Sequence, residues 1–169
     1  MTRAECVEAL EHPNVQAFLA VLRFTEHGKQ WVDDKRVYRR EFGGKLFPAA
    51  ALEGDKPRSI IDRGIRSSAK GAYQFLNGTW DECKAALSLD CFSPANQDLA
   101  AVFLIGRRRA LYVLMDGDLE GAVKRCAKEW ASLPGSPYGQ PVKTMAEVRA
   151  VFTEYGGKER KHEKALVQI

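Results

Sequence analysis

The residues with the most chemical potential lie in FTEHGKQW, residues 24–31. Glu26 falls four residues after Leu22, the last member of an apolar stripe formed by Val15, Phe18, Leu19 and Leu22. Their i, i+3, i+4, i+7 spacing is that of one helix face. A carboxylate there continues the buried face where the helix runs out. Lost hydration penalises the charged form and raises a carboxyl pKa. A glutamic acid still protonated near neutral pH can give its proton to a leaving oxygen, which is glycosidase-type general acid chemistry. The same spacing also suits a glutamate that merely ends a helix or pairs with Lys29. His27 stands beside it, and His12 and His162 lie far off in the chain.

Other chemistries lack their residue patterns. No HExxH or dense ligand cluster points to a metal, so neither metal nor cofactor is expected. Gly43-Gly44 and Gly71 fit neither a Walker nor a dinucleotide loop, and no serine sits in a nucleophile elbow. Arg107-Arg108-Arg109 is a basic run read as a solvated face, since no nucleic-acid-reading motif accompanies it. The chain carries four cysteines, Cys6, Cys83, Cys91 and Cys126, without CxxC spacing. Buried free thiols are expected.

The elements that must position Glu26 follow from pattern. At 169 residues with 45% hydrophobic content, residues 1–169 suit one domain with its own core. The net charge of +4 favours an anionic partner without selecting one. Neither an N-terminal apolar leader nor a membrane-spanning run is present. Asn14 reads as the cap of the Glu26 helix. Residues 31–47, with Gly43-Gly44, carry a hairpin signal. Residues 48–68 read as a long loop. Four helices follow. Asn77 or Thr79 opens the first, Ser93 opens one running towards Met115, Asp118 caps a third, and a Thr144–Glu147 capping box starts the last. Helices segregated from a small antiparallel region make an α+β domain, with a cleft between the parts as the natural substrate site. The charged tail after Gly157 reads as a solvated end. No amphipathic stretch is left for a second copy, so a monomer is expected.

Two stretches are unusual. SSAKGAYQFLNGTW, residues 67–80, sets an aromatic and an amide in a small-residue turn before a helix. WASLPGSPYGQ, residues 130–140, sets aromatics among prolines and glycines. Aromatic faces stack on sugars and amides read hydroxyl and N-acetyl groups. Each also fits a capped structural loop.

Taken in order, FLAVLRFTEHG, GGKLF, DKPR, KGAYQFLNGTWD, FSPANQD and CAKEWASLPGSPYGQ make the chain resemble the lambda-endolysin family of phage lytic transglycosylases. The resemblance implies a lysozyme-like fold and cleavage of the glycan strands of peptidoglycan with Glu26 as the catalytic acid. It implies transglycosylation, leaving 1,6-anhydro ends. It carries substrate contacts onto Tyr73, Gln74, Ser132 and Tyr138. The partner implied is the glycan strand, with no nucleic acid and no stable membrane insertion. The protein would wait in the host cytoplasm until a holin releases it to the periplasm. Here His27 separates Glu26 from Gly28, where the family pattern has glycine directly after the acid. A hydrolytic muramidase would need a second carboxylate, with Asp33 or Asp34 as candidates. A non-catalytic wall-binding module is the third reading.

Overall fold

The computed structural model describes residues 1–57 and 60–160. Among these, the elements run α1 (Arg3–Leu10), α2 (Pro13–His27), β1 (Ile60–Asp62), β2 (Ile65–Ser67), α3 (Asn77–Leu87), α4 (Pro94–Arg107), α5 (Leu111–Met115), α6 (Leu119–Cys126) and α7 (Met145–Glu154). Short 3-10 turns cover Lys29–Trp31, Lys35–Arg39 and Ala49–Glu53. The arrangement is the expected α+β one. A helical body carries a small antiparallel region between α2 and α3.

Helix α2 is the spine. Pro13 pre-sets its first turn, and the His12 ring nitrogen Nδ1 accepts the Asn14 N–H at 3.2 Å. Val15, Phe18, Leu19 and Leu22 are buried as the stripe required. So are Ala17, Ala20 and Val21, because α1, α4, α5 and α7 all pack around the helix. Asn14 is therefore not the cap. It lies inside the helix, where its amide nitrogen donates to the carbonyls of Leu114 (3.0 Å) and Lys158 (3.1 Å), and its oxygen accepts the Lys158 N–H at 2.8 Å. A buried amide with its bonds satisfied by distant backbone acts as a staple between the helix start and residue 158.

Helix α1 has no counterpart in the sequence reading. Its buried face is only Cys6 and Ala9, too short for periodicity, although Thr2 and Glu5 form a full capping box. The hairpin also falls elsewhere than expected. Gly43 and Gly44 do make a turn, at φ 82° and 86°, closed by the Gly44 N–H on Glu41 O, with a single bridge, Arg40–Leu46, beside it. The backbone then leaves its own return strand. Phe42 N–H bonds Ala69 O at 3.1 Å, and Glu41 bridges Lys70. The two-stranded sheet is β1–β2, inside the segment read as loop. Its two-residue turn, Arg63-Gly64, has φ 46° and 78°, the positive pair of a tight hairpin. Three residues per strand leave little alternation to see.

Among the later helices, Ser93, Asp118 and the Thr144–Glu147 box cap as read. Leu76, without a side-chain cap, precedes α3, which begins at Asn77. The helix expected to reach Met115 breaks after Arg107. Arg109 turns left-handed at φ 56°, its N–H bonds Gly106 O at 2.8 Å, and Ala110 N–H bonds Ile105 O at 3.1 Å. That is a Schellman ending with arginine in the position glycine usually takes. Three cysteines are buried, Cys91 is partly exposed, and all four are free thiols. An aromatic cluster, Phe75, Trp80 and Phe92, supports the turn before α3, with Trp80 and Phe92 edge-to-face at 4.6 Å. No helix of the described residues is long and apolar enough to cross a membrane.

Replacing Asn14 by alanine removes the side-chain bonds to the Leu114 carbonyl and to both peptide groups of Lys158, leaving the Lys158 N–H without its partner. Urea unfolding of Asn14→Ala is expected to show a loss of about 2–3 kcal/mol.

Candidate active site

The site is assembled around residues 71–73. Gly71 sits at φ 81°, and a Cβ there would lie 2.2 Å from Gln97 Oε1, so no other residue fits. Its N–H bonds Arg40 O at 2.7 Å. Ala72 N–H donates to Gln97 Oε1 at 2.9 Å, and Gln97, fully buried on α4, donates its own N–H groups to the carbonyls of Tyr38 and Phe92. His27, at the end of α2, points its Nε2–H at the Gly71 and Ala72 carbonyls, each at 3.2 Å. Burial, with help from Arg40, pushes its pKa down to about 4, so the ring is neutral and the donating nitrogen is Nε2. Trp130 Nε1–H donates to Tyr73 O at 3.1 Å and brings in the loop after α6.

That loop delivers Ser132 to Glu26. The hydroxyl donates to Glu26 Oε1 at 2.5 Å. Loss of hydration raises the Glu26 carboxyl, and the serine bond pulls it back only in part, leaving a pKa of about 7. The first effect wins because one neutral donor replaces a full hydration shell. Near neutral pH the group therefore exists in both protonation states. It can give a proton and, once ionised, take one.

The expected site residues sort into two sets. Ser132 touches Glu26 directly. Gln74 is partly exposed at φ 51° and donates to Gly71 O at 3.0 Å, the carbonyl that His27 also uses. Tyr138 is 57% exposed, its hydroxyl fixed on Lys128 O at 2.9 Å and its ring open to solvent. Tyr73 departs from the expectation of a substrate contact. It is 1% exposed. Its hydroxyl accepts from Arg23 at 2.9 Å and donates to Asp98 at 2.6 Å, while Tyr38 OH donates to the same carboxylate at 2.9 Å. Burial raises Asp98 against the opposing pull of both tyrosines and Arg23. Tyr73 is thus part of the floor that fixes the turn. Arg23, Tyr38, Gln97 and Asp98 escape the sequence reading, and Trp130, read among the aromatics of residues 130–140, is buried with its indole on the Tyr73 carbonyl. The signal for Gln97 and Asp98 is the polar run Asn96-Gln97-Asp98 directly before the apolar stretch Leu99–Ile105 of α4.

Asp33 and Asp34 are engaged elsewhere. Asp33 accepts from Tyr155 OH at 2.6 Å, linking the loop after α2 to α7. Asp34 caps the 3-10 turn through Arg36 N–H at 2.9 Å and holds the Arg36 guanidinium.

A helical body with a small hairpin region and one desolvated acid at a helix end defines a lysozyme-like protein. Comparison with known proteins makes the assignment specific. The profile of the family described as Endolysin matches residues 16–159, and the chain belongs to that family. It is 36% identical over 147 residues to the endolysin of Escherichia phage lambda, spanning 84% of this chain and 90% of that one. It is 39% identical over 103 residues to the endolysin of Escherichia phage P2, spanning 60% and 62%. Lambda lysozyme complexed with a chitohexasaccharide superposes with a TM-score of 0.79 at 35% identity, covering 88% of this chain and 97% of that one. A second structure, lysozyme from bacteriophage lambda, gives 0.75 at 34% identity.

The raised Glu26 pKa also bears on stability. The unfolded carboxyl has its ordinary value of 4.5 and the folded one about 7, so between these pH values the native state holds the extra proton. Stability is then full below the lower value and falls as pH rises through the upper. Glu26→Gln removes this dependence, so at pH 8 it should unfold later than the parent, by roughly 1–3 kcal/mol, with the gain vanishing below the lower pKa. Calorimetry at the two pH extremes checks this. Ser132→Ala removes the only effect opposing burial, so the alkaline limb of the pH–rate profile should move to higher pH.

Proposed function

We propose that this endolysin cuts the β-1,4 bond between N-acetylmuramic acid and N-acetylglucosamine in peptidoglycan by lytic transglycosylation, releasing 1,6-anhydromuramic ends for host lysis. The observation that carries the reading is the single acid poised at about 7 on a rigid support. Glu26 in its protonated form gives its proton to the bridging oxygen. The C1–O bond breaks, and the sugar's own N-acetyl group steadies the positive charge. Glu26, now ionised, accepts the proton of the C6 hydroxyl of the same muramic acid. That oxygen bonds to C1 and closes the ring. Acceptor and electrophile belong to one sugar, so attack has the advantage of proximity and needs no activated water. One group acting as acid and then base works best with a pKa near the working pH.

The engagement of Asp33 by Tyr155 and of Asp34 by Arg36 supports this over a two-carboxylate hydrolysis. Ser132, Gln74 and the open face of Tyr138 are proposed to meet the sugar, with Tyr73 shaping the turn beneath. The chitohexasaccharide held by lambda lysozyme is an N-acetylated glycan of the same general kind. The protein is proposed to act as a one-domain monomer without a cofactor. It would be held in the host cytoplasm and reach the periplasmic wall once a holin opens the inner membrane.

Glu26→Gln keeps the shape and loses the acidic proton, so wall binding should persist while lysis falls by about a hundredfold or more. Mass spectrometry of released muropeptides should find products lighter than hydrolytic ones by one water, without reducing ends. Reducing muramic acid ends would overturn the transglycosylase assignment.

A further inference from the structure

The basic run set aside above is half of a larger cationic face. Arg107, Arg108 and Arg109 at the end of α4 meet Lys124, Arg125 and Lys128 on and after α6, around a shallow groove of about 560 Å³. Glu129 engages Arg107 (2.9 Å) and Arg108 (2.7 Å), and Arg107 also reaches Glu82. The other four, Arg109, Lys124, Arg125 and Lys128, are exposed and have no ion pair among the described residues.

The helix dipole accounts for part of this. Cations in the last turn of α6, Lys124 and Arg125, complement its C-terminal end. It does not account for Arg109. That side chain is kept on a left-handed backbone where glycine would fit without strain. Position supplies the remaining clue. The Lys128 carbonyl holds the Tyr138 hydroxyl, and Trp130 and Ser132 follow it directly in the chain. The charged face is therefore continuous with the loop that reaches Glu26.

Resting on the peptidoglycan reading, we propose that this face binds carboxylates of the peptide side chains carried by the glycan strand seated at Glu26. Spaced point charges suit acidic groups that recur along a polymer, where each added contact raises avidity. The groove has no apolar lining residue to enter a lipid surface and no aromatic to stack on a base.

The test is cosedimentation in the Glu26→Gln background, which leaves the wall uncut, with intact sacculi and with glycan strands stripped of peptides. Salt should weaken binding to sacculi far more than binding to stripped strands. Lys124→Gln with Arg125→Gln should weaken sacculus binding by about three- to tenfold and leave stripped-strand binding unchanged. Arg109→Gly should weaken it in the same sense while raising Tm by about 2 °C, the opposite of what a structural role for the arginine requires. In the Glu26-containing protein, these changes should raise KM on intact wall with kcat unaltered. Equal losses on both polymers, no loss on either, or preferential binding to anionic phospholipid vesicles would each overturn the proposal. Absence of cutting by the parent would count against the catalytic reading alone, since sedimentation reads the face independently.

Discussion

The active site depends on the fixed orientation of the peptide groups at residues 71–73. Their amides and carbonyls receive the end of α2 through His27, the hairpin region through Arg40, α4 through Gln97, and the loop after α6 through Trp130. Four separate parts of the chain thus take their relative positions from one turn. Gly71 makes this possible because only glycine leaves room for the Gln97 oxygen. Buried peptide groups without partners are costly, so the turn cannot rotate without losing several bonds together.

Glu26 exploits that rigidity. Its carboxyl trades bulk hydration for one serine hydroxyl, and the imbalance moves its pKa to about 7. A looser support would let water return and the pKa relax towards its ordinary range. The half-buried network of Arg23, Asp98 and Tyr38 around the buried Tyr73 lies under the same turn and anchors it from the helical side. Its polar groups are mutually satisfied, which is the condition under which such a network stiffens a core.

The legible parts of the fold were those with long periods or paired caps. The α2 stripe, the Ser93 and Asp118 caps and the Thr144–Glu147 box all appear as read. The misplaced parts share one cause, which is non-local bonding. Asn14 looks like a cap but bonds Lys158 across the chain, and residues 40–46 leave their own hairpin for residues 69–70. Glu26 stood out because a carboxylate at the end of an apolar face is anomalous locally. Tyr73 was read as a sugar contact because its motif resembles a binding loop, whereas burial shows the ring facing inward. Arg23 gives no signal, since it meets Asp98 through Tyr73 rather than through sequence spacing.

The staple between Asn14 and Lys158 carries a consequence for synthesis. The helix bearing the acid leaves the ribosome 144 residues ahead of Lys158, which its opening turn bonds, and ahead of α7, on which its flank packs. Contacts this distant in sequence form only after the intervening chain has emerged. Growing chains therefore hold Glu26 on an unseated helix, without Ser132 beside it. A chain grown only as far as α6 holds no assembled site, and one grown short of residue 158 still lacks the staple.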